Sequence, residues 1–370
     1  MEFFIGNVKM RYFIQVNGTK RAVLAVSILP QIALVKWLGS HPDWIETYYS
    51  EGLYPYISQF LRMLFGWIPF SVGDLFYTVL FFAAFRYLYL HGKRLWKRPK
   101  QFLVDFGIVL SLAYFIFHLF WGLNYYRLPL EEKFGIQKEY TITDLEEFTD
   151  YLIQKTNKIQ FQITQDTSLA VQLPYTRNEI FQKTIGVYAQ VQSNHPSFGY
   201  PIPSLKKSIY SLPLTYMGYG GYINPFTGEA QVNGKIPILR YPTVSAHEIG
   251  HQTGYSSESA TNFIGFWITS QSKDPHFKYA AYSHALAYCL SDLRAKDTET
   301  FKVLWDTVNP GIKKNYEELR RFWQAYENPT EPLFKSIFNA FLKANSQAEG
   351  IQSYNRVVGL LVNYHLRYGF

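Results

Sequence analysis

The chain has 370 residues, a formal net charge of +8 and an unusual balance of side chains: 18% aromatic, with 30 Tyr and 30 Phe, against 17% charged. That length admits one large domain, or a membrane anchor plus a soluble one, and aromatic enrichment with few charges suits a protein with part of its surface in lipid. The basic residues are not gathered on one helix and no nucleic-acid-binding motif is present, which excludes nucleic acid as the expected partner. The single cysteine, Cys289, excludes an intrachain disulfide, a cysteine-based zinc finger and CxxC redox chemistry.

Three apolar stretches fill the first third, at residues 22–38, 72–90 and 102–123. A helix rises about 1.5 Å per residue, so some 20 apolar residues cross a bilayer core. Pro30, Gln31 and Lys36 interrupt the first stretch, Asp74 and Arg86 the second, and Asp105 and His118 the third. The flanks alternate in sign. Lys9, Arg11, Lys20 and Arg21 precede the first stretch, Asp43, Glu46 and Glu51 follow it, and the basic run HGKRLWKRPK (residues 91–100) separates the second from the third. By the positive-inside rule this predicts a cytoplasmic N-terminus and puts everything after Tyr125 on the outer side. The first stretch lacks a cleavage site in a convincing place and reads as an anchor. The expected organisation is therefore an anchor over residues 1–126 and a catalytic domain over residues 127–370. Between the first two stretches, Tyr54–Ile68 is apolar and aromatic around most of its circumference; it reads either as an interfacial helix on the bilayer or as a helix packed on the catalytic domain.

Beyond Thr141 the texture is soluble and mostly helical. Thr143 with Glu146 forms a predicted capping box, and a further helix is expected over Thr176–Gln192. Between Ser208 and Val232 glycine, tyrosine and proline take over, and the turn signal Pro225-Phe-Thr-Gly228 predicts a hairpin whose second strand is Glu229–Asn233. The remainder reads as helical, broken at Asn309–Gly311 and at Asn328-Pro329.

Chemistry concentrates in His247-Glu248-Ile249-Gly250-His251, a match to H-E-x-x-H. Histidines four apart on a helix face the same way, so both imidazoles can hold one metal ion. The intervening Glu then reaches a water on the metal, and zinc lowers that water's pKa enough for Glu248 to act as general base. Pro242 near the start and Gly254 past the end frame the helix as Pro242–Thr253. A catalytic zinc takes three protein ligands and an open position. Glu258 follows in the first turn of a helix that Ser256 or Ser257 can cap, and Asn262 shares its face. Glu258 is thus the expected third ligand and Asn262 the partner of a ligating histidine. The metzincin pattern fails, because Ser257 stands where its third histidine would be.

The stretch HEIGHQTGYSSESATNFIGF resembles an uncharacterised membrane-anchored family in the zincin-like metallopeptidase clan, of gluzincin type, catalogued as domain of unknown function 3810. Trp121-Gly-Leu-Asn-Tyr-Tyr126, Tyr222–Asn233 and Ser353-Tyr-Asn-Arg-Val-Val358 resemble the same family, so the likeness covers nearly the whole chain. Gluzincins follow H-E-x-x-H with E-x-x-x-D; this chain has Glu258 and Asn262, and carries Ala260 and Thr261 where the family leads one to expect Glu and Ala. The resemblance implies that a hairpin strand before the metal helix, here Glu229, Ala230, Gln231, Val232 and Asn233, pairs with an extended substrate. Tyr282 and His284 are candidates by residue type for stabilising the oxyanion.

The expectation is a mainly α chain: three transmembrane helices, then a zincin-like domain that holds one Zn2+ on His247, His251 and Glu258 and cleaves peptide or protein substrates at the bilayer. The competing readings are a membrane scaffold with a degenerate zincin domain that binds peptides without cleaving them, and a zinc hydrolase of a non-peptide amide.

Overall fold

The computed structural model describes residues 18–345 and 354–370, so Lys9, Arg11 and Ser353 lie outside the described residues. The chain is mainly helical with one small sheet. Its first apolar stretch is two helices, α1 (Gly18–Val26) and α2 (Ile28–Gly39), parted at Ser27. Pro30, without an N–H, cannot bond the carbonyl of Val26, which accounts for the break one turn ahead of it. Helix α3 (Tyr54–Phe65) follows a π-helical segment at Ile45–Leu53. Then come α4 (Val72–His91) and α5 (Pro99–Phe120). The α1–α2 pair, α4 and α5 are each long and apolar enough to cross a membrane. The third stretch stops at Phe120 rather than residue 123, because Trp121 leaves the helical conformation and Gly122–Tyr126 tightens into a 3-10 turn.

Helix α6 (Ile142–Thr164) is capped by Thr141 and Asp144, not by Thr143 and Glu146. The two Thr-x-x-acid boxes overlap in sequence, and the earlier one lets the helix start a half-turn sooner while still burying Leu145, Phe148 and Leu152. Helix α7 (Arg177–Gln192) starts at the expected place, on a box made by Thr176 and Glu179. The sheet holds β1 (Leu205–Lys207), β2 (Gly221–Asn224) and β3 (Glu229–Val232) in the order β1-β3-β2. β3 pairs antiparallel with β2, Tyr222 opposite Gln231, and parallel with β1, Lys206 opposite Gln231. Helices α8 (Tyr241–Gln252), α9 (Glu258–Ser270) and α10 (Pro275–Lys296) follow and form the centre of the main core. Helices α11 (Thr298–Thr307), α12 (Pro310–Gln324), α13 (Glu331–Ala344) and α14 (Tyr354–Tyr368) complete the chain.

The apolar helices and the core meet at one end. Gly39 at the close of α2 abuts Tyr126, the first turn of α4 is buried at Gly73 and Asp74, and Trp121 and Tyr125 after α5 are buried. The basic connection at residues 91–100 lies between the opposite ends of α4 and α5. A second cluster joins Val35, Ile45, Tyr49, Tyr54, Trp121, Tyr125 and Leu342. A buried ionic knot stands beside it: Glu46 accepts from Arg127 at 2.6 Å and from Lys133 at 2.6 Å. Burial pushes the Glu46 carboxyl up, but the hydrogen bonds and charges of Arg127 and Lys133 prevail and hold it below the ordinary carboxylate value.

Candidate metal centre

Helix α8 starts with Pro at its first turn and ends on Gly254, whose φ of +93° is the left-handed conformation that glycine adopts without cost. Its far end is clamped by the segments that lead into and out of the apolar helices. Tyr54 and Ser58 of α3 both donate to the carbonyl of Gln252 at 3.0 Å, Trp121 donates from Nε1 to that of His251, and Arg127 to that of Gly254 at 2.9 Å. These donors add to the backbone amides that reach the carbonyls closing the helix. Of the two readings open for Tyr54–Ile68, packing on the domain is thus realised, and the same helix turns Phe60, Met63 and Leu64 outward.

On α8, His247 and His251 bring their Nε2 atoms to 3.1 Å, and Glu258 at the start of α9 stands 3.4 Å from His247 Nε2 and 3.7 Å from His251 Nε2. Zinc–nitrogen and zinc–oxygen bonds of about 2.0–2.2 Å in a tetrahedron separate the ligand atoms by about 3.3–3.6 Å. Glu258 approaches His247 through Oε2 and His251 through Oε1, so the three side chains stand at nearly that spacing around one point. The His251 Nδ1–H donates to the Tyr255 carbonyl at 2.7 Å, which fixes the tautomer and leaves Nε2 with its lone pair toward Glu258 and His247. Asn262, one turn after Glu258, lines the same cavity and favours the charged form of His247. Ser257 occupies the N-cap of α9 and Glu258 its first turn.

The charge states follow from burial and neighbours. Desolvation lowers His251 to about 4, so it is neutral at physiological pH. Desolvation also works against a charged His247, but the Glu258 hydrogen bond, Glu248 and Asn262 outweigh it and raise His247; Glu258, pushed up by burial, is held down by the two histidines. His247 and Glu258 thus each favour the charged form of the other. Glu248 lies 3% exposed, with no hydrogen-bond partner for Oε2 among the described residues, and burial pushes its pKa up to about 8. His247, Glu248 and His251 offer ligand atoms within 4.8 Å of one another, yet Glu258 comes closer to the imidazoles than that. The donor set fits a divalent cation of borderline softness such as zinc, with Glu248 alongside rather than within it.

The site opens into a cavity of about 960 Å³. Its walls are α8, β2, the end of α5 with Trp121 and Tyr125, Phe338 and Phe341 of α13, and the group Arg240, His284 and Tyr288. Two expectations fail here. Glu229–Asn233 is not an edge, because β3 is the central strand and is buried throughout Glu229–Val232. β1 arrives from some distance along the chain to cover its other side. The side chains confirm a structural role: Glu229 pairs with Lys206 and accepts from the amides of Val72 and Gly73 at the start of α4, Gln231 donates to Ser71, and Asn233 to Thr215 and the Tyr219 carbonyl. Ala230 and Val232 are fully buried. The edge on the cavity is β2 instead, where a Cβ on Gly221 would fall 2.5 Å from Glu248 Oε1, so only glycine lets that strand run against the carboxylate.

Tyr282 is the second. It packs edge-on to Phe266 at 5.6 Å and lines a different cavity with Lys155, His195 and Phe370. Successive residues on a helix turn by about 100°, so residues 282 and 284 stand roughly 200° apart and cannot share a face. His284 does line the metal cavity, and its Nε2 lies 2.5 Å from Arg240 Nη2. A guanidinium only donates, so His284 accepts there and orients Arg240. Arg240 and Tyr288 escaped the sequence reading, although Tyr288 lies one helical turn from His284 and Arg240 immediately precedes the metal helix.

Comparison with known families gives one match: the family described as protein of unknown function (DUF3810), over residues 49–362. The chain belongs to that family. The matched span contains α4, α5, the sheet and every residue of the metal cavity. No curated protein and no solved structure matches the chain.

Proposed function

We propose that this member of the family is a membrane-bound zinc peptidase with a zincin-type catalytic domain. The observation that carries the reading is the convergence of His247, His251 and Glu258 at ligand spacing beside a buried Glu248 whose Oε2 has no hydrogen-bond partner among the described residues. Zinc held there supplies a Lewis acid that polarises a water and the scissile carbonyl.

The remaining chemistry belongs to the chain's own side chains. Glu248, held near neutral pKa by burial, accepts a proton from the attacking water and passes it to the leaving amine. The free edge of β2 offers backbone N–H and C=O groups to an extended polypeptide, alongside Glu248 at Gly221. Arg240, oriented by His284, supplies a fixed positive charge in the cavity where negative charge develops on the carbonyl oxygen. The alternating loop charges favour the outer side of a cytoplasmic membrane for this site; a reporter fused after Tyr140 that works only in the cytoplasm would refute that orientation.

Glu248→Gln tests the reading. The substitution keeps size and hydrogen bonding but removes the base, so the full chain should retain zinc and fold while cleavage of a peptide library falls roughly 100- to 10,000-fold. Equal cleavage by both proteins means that the mechanism is wrong; no cleavage by either favours a peptide-binding scaffold.

A further inference from the structure

The metal cavity is bounded on one side by residues that belong to the apolar helices themselves. Tyr77 of α4 and Phe117 of α5 both line it. They lie five residues after the start of α4 and three before the end of α5. At about 1.5 Å per residue, the cavity wall reaches roughly 5–8 Å into the membrane-crossing segments. The edge strand is fastened there too: the Tyr222 hydroxyl donates to Asp74, and Phe226 in the β2–β3 turn packs on Phe76 at 5.7 Å.

The two helices do not close this side. Helix α5 packs on α1 and α2, where Ser111 meets Ser27 and Gln31 at 2.8 Å. Helix α4 touches α5 at its far end, through Tyr87 on Asp105 and Phe102. Nearer the cavity, Val79, Leu80, Phe81 and Phe82 are 64%, 47%, 67% and 63% exposed. Four consecutive residues sweep about 300° of a helix, so none of the described residues covers α4 there. On this side, therefore, the contacts between α4 and α5 lie at the far end, while exposed apolar side chains of α4 follow directly on Tyr77 at the cavity wall.

Two further helices mark where a bilayer surface would lie. Besides its clamp on α8, α3 presents Phe60, Met63 and Leu64 outward. Helix α13, whose Phe338 and Phe341 roof the cavity, exposes Leu333 and Ile337 one turn apart on its outer face. Phe341 also meets Phe117 at 5.9 Å and Tyr125 at 5.9 Å, which ties that roof to the end of α5. Apolar faces turned outward beside the ends of helices that can cross a membrane fit a lipid surface.

We infer that the cavity is reached from the bilayer, between α4 and α5, and that it takes a polypeptide anchored in the same membrane, cut in the extended stretch just outside its own spanning segment. The exposed apolar side of α4 receives the end of the spanning segment, and the free edge of β2 receives the extended residues. This rests on the peptidase reading and narrows its substrate.

The test compares three probes carrying one degenerate ten-residue stretch: the stretch alone, the stretch joined to a leucine-rich spanning segment, and the stretch tethered to a lipid headgroup through a long hydrophilic linker. The full zinc-loaded chain in phosphatidylcholine–phosphatidylglycerol vesicles should cleave the spanning probe at least about tenfold faster than either other. The inactive Glu248→Gln chain should bind it with the same preference, read by energy transfer. Equal handling of the lipid-tethered probe means that local concentration suffices, and equal handling of the free stretch means access from water; either overturns the inference and leaves the peptidase reading standing. Neither cleavage nor binding of any probe by a zinc-loaded chain removes both.

Discussion

Two groups of buried charge stand side by side in this protein, and they are built to opposite rules. Around Glu46 every charge is answered: Arg127 and Lys133 both donate to its carboxylate, Lys133 also reaches Glu51 at 2.6 Å, and Arg127 reaches the Gly254 carbonyl. Around His247 the titratable groups are left partly unanswered. Glu248 keeps an oxygen without a partner among the described residues, and Arg240 has a neutral histidine for company rather than a carboxylate. Leaving a buried charge underpaired costs stability, because desolvation is not repaid. A fold that satisfies the first group and not the second, while packing both against α8, reserves the second for something that binds. Perturbed, underpaired titratable groups in a cavity are the physical mark of a functional site.

Exchanging single residues between these roles gives the largest contrast at Arg240. Arg240→Met should lower turnover about 100-fold with zinc content and thermal stability kept, since it removes a charge aimed at the developing oxyanion. A loss confined to KM would make Arg240 a substrate-binding group instead. Glu46→Gln should do the reverse. It strands Arg127 in a buried place and should cost about 3 kcal/mol of stability, measured by denaturation in detergent, while the folded fraction keeps its turnover per zinc. An unchanged stability would show that the knot is decorative.

Proton linkage separates the two groups by pH. Glu46 has a lowered folded pKa, so its contribution is fully present above the ordinary carboxylate value and is lost only as pH falls through the lowered one. The knot should therefore hold across neutral and mildly acidic solution. His247 is raised above 6.5, and a cation must displace its proton. Zinc affinity should fall by roughly tenfold per pH unit once the pH drops below that raised value. Affinity flat down to pH 5 would contradict the raised His247.

Which parts of this were legible in the sequence follows from how local they are. Pro242, the four-residue histidine spacing and Gly254 are all read within one helix, and α8 starts and ends within one residue of the expected bounds. Glu258 and Asn262 were within reach for the same reason, as they begin the next helix. The apolar stretches were visible from composition, although Ser27 and Trp121 end helices in ways that hydropathy does not record. What escaped depends on pairing at a distance. β1 is three residues long and pairs in parallel with a strand far along the chain, so nothing near Glu229 announced that its strand would be central. Tyr282 and His284 were chosen by type, where helical phase separates them and selects Tyr288. Arg240 is an ordinary arginine in sequence and acquires meaning only from its burial beside the metal helix.

Zinc stoichiometry of the purified full chain tests the central claim most directly. The arrangement of His247, His251 and Glu258 predicts one zinc per chain in the wild type and in Glu248→Gln, and a strongly weakened site in His247→Ala, His251→Ala and Glu258→Ala, each left with two protein ligands. Zinc absent from the wild type after equilibration with the metal, or held equally well by all three alanine variants, would contradict it.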